Sequence, residues 1–248
     1  MFDLVWKLQR SSIMDFPRKL SFSYRSIVST EPSLQLFYQP YIWWGKLKLN
    51  AVGGNPQERV VRPNTELVID GFQGSANSFA TEAFKKNQTR SVELSHHMHS
   101  PLQIVKAVKQ DIPILVTIRD PIGAVLSLTS RWSHLSVNQG LYSYVRFYSK
   151  LEPYADKCVI SDFEQTTRNL DRAIEKVNHK YGTNFDLVDV AQANANYKIN
   201  ASHKFFAEED RVNRKLIKQQ KKAEFDLPDN AKLLVRAKDI YQKLAVKK

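Results

Sequence analysis

Cysteine is all but missing from this chain. Cys158 stands alone in 248 residues, which excludes an internal disulfide and a thiolate metal cluster, and with them a stapled secreted scaffold; a reducing, cytoplasmic compartment is the expectation. Long apolar runs are missing as well, since no stretch approaches the roughly 20 residues needed to span a bilayer. The opening segment MFDLVWKLQRSSIMDF has no continuous apolar core followed by a small-residue cleavage site, so a soluble, uncleaved protein is expected. Acidic residues are too few to balance the basic ones, 25 against 37, which leaves a formal charge of +12. That excess favours anionic partners: nucleotides, sulfated or phosphorylated ligands, nucleic acid or acidic membrane.

The rest of the composition is ordinary. Apolar residues at 42%, aromatics at 11% and charged residues at 25% exclude wholesale disorder and fibrous repeats, and the length suits one large domain. The positive charge is peripheral: residues 1–50 carry seven bases and three acids, residues 198–248 fourteen and seven. A single domain is expected with three parts, an aromatic-rich extension over 1–65, a core over 66–185 and a helical, basic region over 186–248.

The first 50 residues hold ten aromatics, among them Phe37, Tyr38, Tyr41, Trp43 and Trp44, without a sustained alternation or helical stripe. Two readings stand: an irregular extension packed by its aromatics onto the body, or a patch that binds an acceptor or an acidic membrane surface. Gly53, Gly54, Pro56 and Pro63 then punctuate an exposed loop or hairpin leading into the core.

From residue 66 the pattern is regular. Strands are expected at 66–69, 92–95, 114–118 and 158–160, with helices at 78–88, from Pro101, from Pro121 under an Asp120 cap to about His134, at 141–154, and from Thr167 to a stop at Gly182. Strands alternating with helices at this spacing predict an α/β fold, a three-layer sandwich around a mostly parallel sheet with right-handed crossovers. In 229–247 the residues Leu233, Leu234, Ala237, Ile240, Tyr241 and Leu244 form one apolar stripe, a helix packed on the body with its lysines in water.

Two features carry chemistry. Gly71-Phe72-Gln73-Gly74-Ser75-Ala76-Asn77-Ser78-Phe79 is a small-residue turn between a strand and a helix; its backbone N–H groups and helix N-terminus suit a phosphate, and Ser75, Asn77 and Ser78 can add side-chain donors. Asn77 stands where a nucleotide hydrolase of the usual kind has its lysine, which disfavours ATP or GTP hydrolysis. The second feature is Arg119-Asp120-Pro121 at the carboxyl end of the 114–118 strand, the edge where open α/β sheets bind ligands. Gly123, Ser127 and Arg131 follow at four-residue spacing on one helix face, Gly123 permitting close approach.

Together these resemble the sulfotransferases that use 3′-phosphoadenosine 5′-phosphosulfate (PAPS). Arg-Asp-Pro with a serine eight residues after the arginine, Arg119 to Ser127, is similar to that family's pattern. Phe72-Gln73-Gly74-Ser75-Ala76-Asn77-Ser78 stands in for its Phe-Pro-(Lys/Arg)-Ser-Gly-Thr-Thr turn, and Ile160-Ser161-Asp162-Phe163-Glu164 echoes a later Tyr-Glu-Asp segment. The resemblance covers about 66–185 and implies a P-loop-like fold and sulfuryl transfer to a hydroxyl or amine of a small-molecule or glycan acceptor, without a metal. It places the 5′-phosphosulfate on the backbone of Gly74, Ser75, Ala76, Asn77, Ser78 and Phe79, with the side chains of Ser75, Asn77 and Ser78. It places the 3′-phosphate on Arg119 and Ser127. His97, from the cluster His96, His97 and His99, matches the catalytic base, and Glu93 is the fallback. Gly74 replaces a basic residue, so Lys85, Lys86 or Arg131 is expected to reach in, and Lys204, Arg211, Arg214 or Lys215 to complete the 3′-phosphate site. The rivals are a P-loop-like nucleotide or small-molecule kinase, and a degenerate nucleotide-binding module whose basic ends touch nucleic acid or acidic membrane. Nucleic acid is not the expected partner of an enzyme with these motifs.

Overall fold

Four short apolar segments form the sheet: β1 (Leu67–Gly71), β2 (Leu94–His96), β3 (Ile114–Ile118) and β4 (Val159–Asp162). All are parallel, in the order β2-β1-β3-β4. This computed structural model describes residues 2–51, 53, 55–195 and 208–246. The helices are α1 (Phe2–Val28), α2 (Gln35–Ala51), α3 (Asn77–Asn87), α4 (Pro101–Val108), α5 (Pro121–Arg131), α6 (Val137–Ser149), α7 (Phe163–Arg168), α8 (Leu170–Tyr181), α9 (Glu208–Lys222) and α10 (Pro228–Val246), with a further short helical stretch over 190–195.

Strand order decides which helix lies on which face. The chain steps from β1 one way to β2 and then back across β1 to β3, so right-handed crossovers require α3 and α4 on opposite faces. They are found there. Leu67, Ile69, Leu94, Leu115 and Val159 point toward Phe79, Phe84, Ile174 and Val177 of α3 and α8. Val68, Ile114, Val116 and Ile118 point toward Ile104 of α4, Val125 and Leu128 of α5, Leu141 and Tyr144 of α6, and Ile240 of α10. The result is the expected three-layer α/β arrangement, with β1 and β3 buried along their whole length.

Local chemistry explains the boundaries. Asp120 caps α5 by accepting from Gly123 N at 2.7 Å, with Pro121 at the first helical position. Ser136 and Gln139 form a reciprocal capping box at the start of α6, which begins earlier than the apolar pattern suggests. Gly182 ends α8 in the left-handed conformation. Ala237, Ile240 and Leu244 of α10 are buried, as their stripe predicts.

The N-terminal segment departs from expectation. It forms two helices, not an irregular extension. Apolar residues lie all round α2, with Tyr38 and Ile42 buried and Leu36, Phe37 and Trp43 exposed, so no polar face marks a helical period. Tyr38 and Ile42 pack with Val28 and Met98. Tyr38 Oη donates to Met98 O at 3.2 Å, and Ser100 Oγ donates to Ser29 O at 3.1 Å, so the hairpin clamps the segment after β2. The proline-rich stretch that follows is no free loop: Pro56–Arg59 is a 3₁₀ turn capped by Asn55, and Val61 is buried. Among the described residues no helix is long and apolar enough to cross a membrane.

Candidate functional site

Because β2 and β3 lie on either side of β1, the connections leaving β1 and β3 diverge to opposite faces and leave a crevice at the strands' carboxyl ends. The 72–76 turn forms one wall. It is a strained and tightly fixed turn. Gly74 has φ +90° and Ala76, just before α3, has φ 68° and ψ 19°, a left-handed conformation that costs an alanine roughly 1–2 kcal/mol. Gly71 lies so close to β3 that any side chain there would strike Thr117.

Buried hydrogen bonds hold this shape. Asn77 Nδ2 donates to Gly71 O at 3.2 Å and Phe72 O at 3.0 Å, and Asn77 Oδ1 accepts from Thr117 Oγ1 at 2.5 Å. Tyr148 Oη donates to Thr117 O at 2.8 Å and accepts from Phe72 N at 3.2 Å, with Ser75 Oγ 3.3 Å away. Burial raises the Tyr148 phenol out of any physiological range, against opposing hydrogen bonds from Ser75 and Phe72. Ser75 and Asn77 are buried, so their side chains brace the turn instead of pointing into the crevice as expected. Phe79 is also turned into the core. The turn offers main-chain N–H groups at the start of α3, where the first turn has no intrahelical acceptor, and the exposed hydroxyl of Ser78.

The other wall is Arg119 and α5. Arg119 Nη1 donates to Gly74 O at 3.3 Å, and its guanidinium lies 3.9 Å from the Phe163 ring centroid. Its buried Nε has no hydrogen-bond partner among the described residues, and Asp120 Oδ2 is 3.8 Å away. Burial lowers the Arg119 pKa, with Asp120 opposing. A Cβ on Gly74 would come within 2.9 Å of Ala124 O and 3.0 Å of Ser127 Cβ, so Arg119, the turn and Ser127 converge on one spot. A side chain at position 74 would be aimed at the backbone of α5 and not along the phosphate cradle.

Further cations surround this spot. Arg131 Nε donates to Ser127 O at 3.3 Å, and Arg214 Nη2 to Ser130 Oγ at 3.5 Å. Burial lowers the Lys218 pKa, followed by repulsion from Arg214, Arg119 and Arg131. Of the expected supplementary bases, Arg131 and Arg214 are at hand. Lys85 is not, being held by Glu58 at 2.5 Å, and Lys86 is held by Glu82 at 2.9 Å. Lys215 is exposed on α9, and Lys204 and the Arg211 side chain lie outside the described residues. Lys218 escaped the sequence reading because only the packing of α9 on α5 brings it close.

The histidines line the third side. Ser78 Oγ lies 2.9 Å from His97 Nε2, His97 Nδ1 lies 2.7 Å from His96 Nδ1, and His96 Nε2 lies 2.8 Å from Glu58 Oε2. His97 and His99 both have left-handed backbone, φ 59° and 50°. Arg59 Nη1 holds His97 O at 3.0 Å, and Asp70 Oδ2 accepts from His99 N at 2.8 Å. His99 Nδ1 donates to Gly71 O at 2.7 Å, a bracing contact. Burial, and then His96, His99, Arg59 and Lys85, hold His97 well below the usual imidazole value. Glu93, the fallback base, sits before β2 at the opposite edge of the sheet, tied to Arg62 at 2.6 Å; it does not face the crevice, because three strand residues of about 3.3 Å each separate it from that edge.

Glu58 and Arg59 were missed because they stand in a segment whose glycines and prolines mask any period. Among the described residues no three His, Cys, Asp or Glu side chains are grouped to hold a metal ion. The strand ends thus carry a cationic corner at Arg119, Gly74 and Ser127, chemically suited to an anionic group, and, at Ser78, an imidazole that burial keeps neutral and able to accept a proton. Comparison with known protein families, curated proteins and solved structures finds no match for this chain.

Proposed function

We propose that the protein is a sulfotransferase that uses PAPS as donor, in the cytoplasm, with a hydroxyl- or amine-bearing small molecule or glycan as acceptor. The observation that carries this reading is the convergence of Arg119, the Gly74 turn and Ser127 at the β1–β3 switch point, with His97 held against Ser78 on the helix that the turn opens. Fit is supported by the buried Nε of Arg119, which has no hydrogen bond among the described residues and only Asp120 Oδ2 at 3.8 Å, and by the cations that α5 and α9 bring beside it, both of which favour a dianionic phosphate. Arg119 and Ser127 hold the 3′-phosphate, with Arg131, Arg214 and Lys218 lending charge. The main chain of 74–79 and the Ser78 hydroxyl hold the phosphosulfate. When bound, the donor supplies a sulfuryl group that passes to the acceptor oxygen or nitrogen as the bisphosphate leaves. His97 Nε2 takes the acceptor proton, a role its neutral state permits.

The test is calorimetry and label transfer. Wild type binds adenosine 3′,5′-bisphosphate in preference to ATP or a short oligonucleotide, and Arg119→Ala weakens that binding roughly ten- to a hundredfold while scarcely affecting an analogue without the 3′-phosphate. Radiolabelled sulfate then appears on a member of a mixed acceptor panel. ATP preferred over the bisphosphate favours the kinase alternative, and bisphosphate binding without transfer favours a binding module.

A second reading is favoured by one contact. Ser78 Oγ against His97 Nε2, at a helix N-terminus, is also the arrangement of an activated serine nucleophile. Fluorophosphonate labelling of Ser78, abolished by His97→Gln, would support it over direct transfer.

A further inference from the structure

Hydrogen-bond logic along the chain Glu58–His96–His97–Ser78 leaves one neutral arrangement. Glu58 is fully ionised near neutral pH: burial raises its pKa, but hydrogen bonds from His96 and Lys85 and the charge of Lys85 bring it down to about 2. A carboxylate only accepts, so His96 Nε2 must carry the proton that faces it. A neutral His96 then presents the bare Nδ1 to His97, whose Nδ1 must donate across 2.7 Å. His97 Nε2 is left with its lone pair toward Ser78 and the crevice. The opposite neutral arrangement sets the His96 lone pair against the Glu58 carboxylate.

We propose that Glu58 and His96 are positioning residues that fix His97 as the Nδ1–H tautomer and so make Nε2 the proton acceptor of the site. This rests on the reading of His97 as the base, and deepens it. Only protonation of His96 escapes the constraint. An imidazolium His96 donates from both nitrogens, turns His97 Nδ1 into an acceptor and moves the His97 proton to Nε2, where it cannot take another. Burial disfavours that charge, with the Glu58 hydrogen bond opposing and Lys85 and Arg59 adding repulsion. The groups facing the pair are Glu58, Arg59, Lys85, Ser78 and His99. Acidification therefore removes the base by changing His97's tautomer before His97 itself is protonated.

The test does not depend on turnover. In ¹⁵N-labelled wild type, long-range proton–nitrogen spectra, with His97 assigned through His97→Gln, show protonated Nδ1 and bare Nε2 at neutral pH, exchanging places as His96 titrates. Glu58→Ala mixes the two forms, while Glu58→Gln, which still offers an amide oxygen to His96, retains the wild-type form. With an acceptor in hand, Glu58→Ala lowers kcat at least about tenfold and leaves bisphosphate affinity within a few fold. A wild-type His97 protonated on Nε2 overturns the proposal whether or not any variant folds, as does a tautomer unmoved by folded Glu58→Ala. Absence of sulfate transfer alongside the Nδ1–H form would instead count against the function proposed above.

Discussion

Gly123 lies beneath the guanidinium of Arg119: a Cβ on Gly123 would come within 2.7 Å of Arg119 Nε and 2.5 Å of Asp120 Oδ2. The absence of a side chain on the first turn of α5 is what lets Arg119 lie across that helix toward Gly74. Gly123→Ala should therefore displace Arg119 while scarcely changing the melting temperature, because a helix-propensity gain of about 1 kcal/mol offsets a disturbed Asp120 cap of similar size. Calorimetry should show bisphosphate binding weakened several-fold, less than by Arg119→Ala. Full affinity in Gly123→Ala would remove Arg119's placement from the explanation of binding.

Gly74→Lys, the substitution the family pattern invites, should impair the protein. The residue has φ +90° and faces the Ala124 carbonyl, a contact that backbone cannot easily relieve, so a loss of about 2 kcal/mol or more is expected. Ala76→Gly should do the reverse and stabilise by up to about 1 kcal/mol, the left-handed strain removed outweighing the added chain entropy. Chemical denaturation of the two variants measures both.

Asn77→Ala should cost about 1–3 kcal/mol, since it leaves the buried Thr117 hydroxyl without its acceptor and removes one of the donors to each of Gly71 O and Phe72 O, which keep only His99 Nδ1 and Ser75 N. Asn77→Asp should be as harmful, because an ionised carboxylate cannot donate to Gly71 O and Phe72 O. If Asn77→Ala denatured at the wild-type midpoint, the turn would not depend on this strut.

Stability should fall on mild acidification. His96 and His97 have pKa values lowered by burial, so below the ordinary value of 6.5 the unfolded chain binds protons that the folded one refuses, and stability drops as pH falls from about 7. His97→Gln should flatten that slope. Glu58 acts in the same sense in a lower window: its contribution is complete above the ordinary 4.5 and is lost as pH falls toward about 2. Thermal melts across this range separate the two windows, and a midpoint unchanged between about pH 7 and 5 would contradict neutral buried histidines.

The sheet and its flanking helices were written into the chain. Ile114–Ile118 is apolar throughout because both faces of β3 are covered, and Asp120-Pro121 and Gly182 mark helix ends through main-chain geometry that acts within a few residues. Arg119, Ser127 and the Gly74 turn were legible for the same reason, their spacing being set by one strand end and one helix face. Tertiary structure alone decided the rest. Glu58 meets His96 across 38 residues, Lys218 reaches Arg119 only through the packing of α9 on α5, and the orientation of Gly74, Ser75 and Asn77 depends on β3 and Tyr148. Helix α2 was hidden because it is apolar on its inner and outer faces alike. Hydrogen bonds and charge interactions between distant segments depend on where packing places them, and periodicity along the chain carries no record of that.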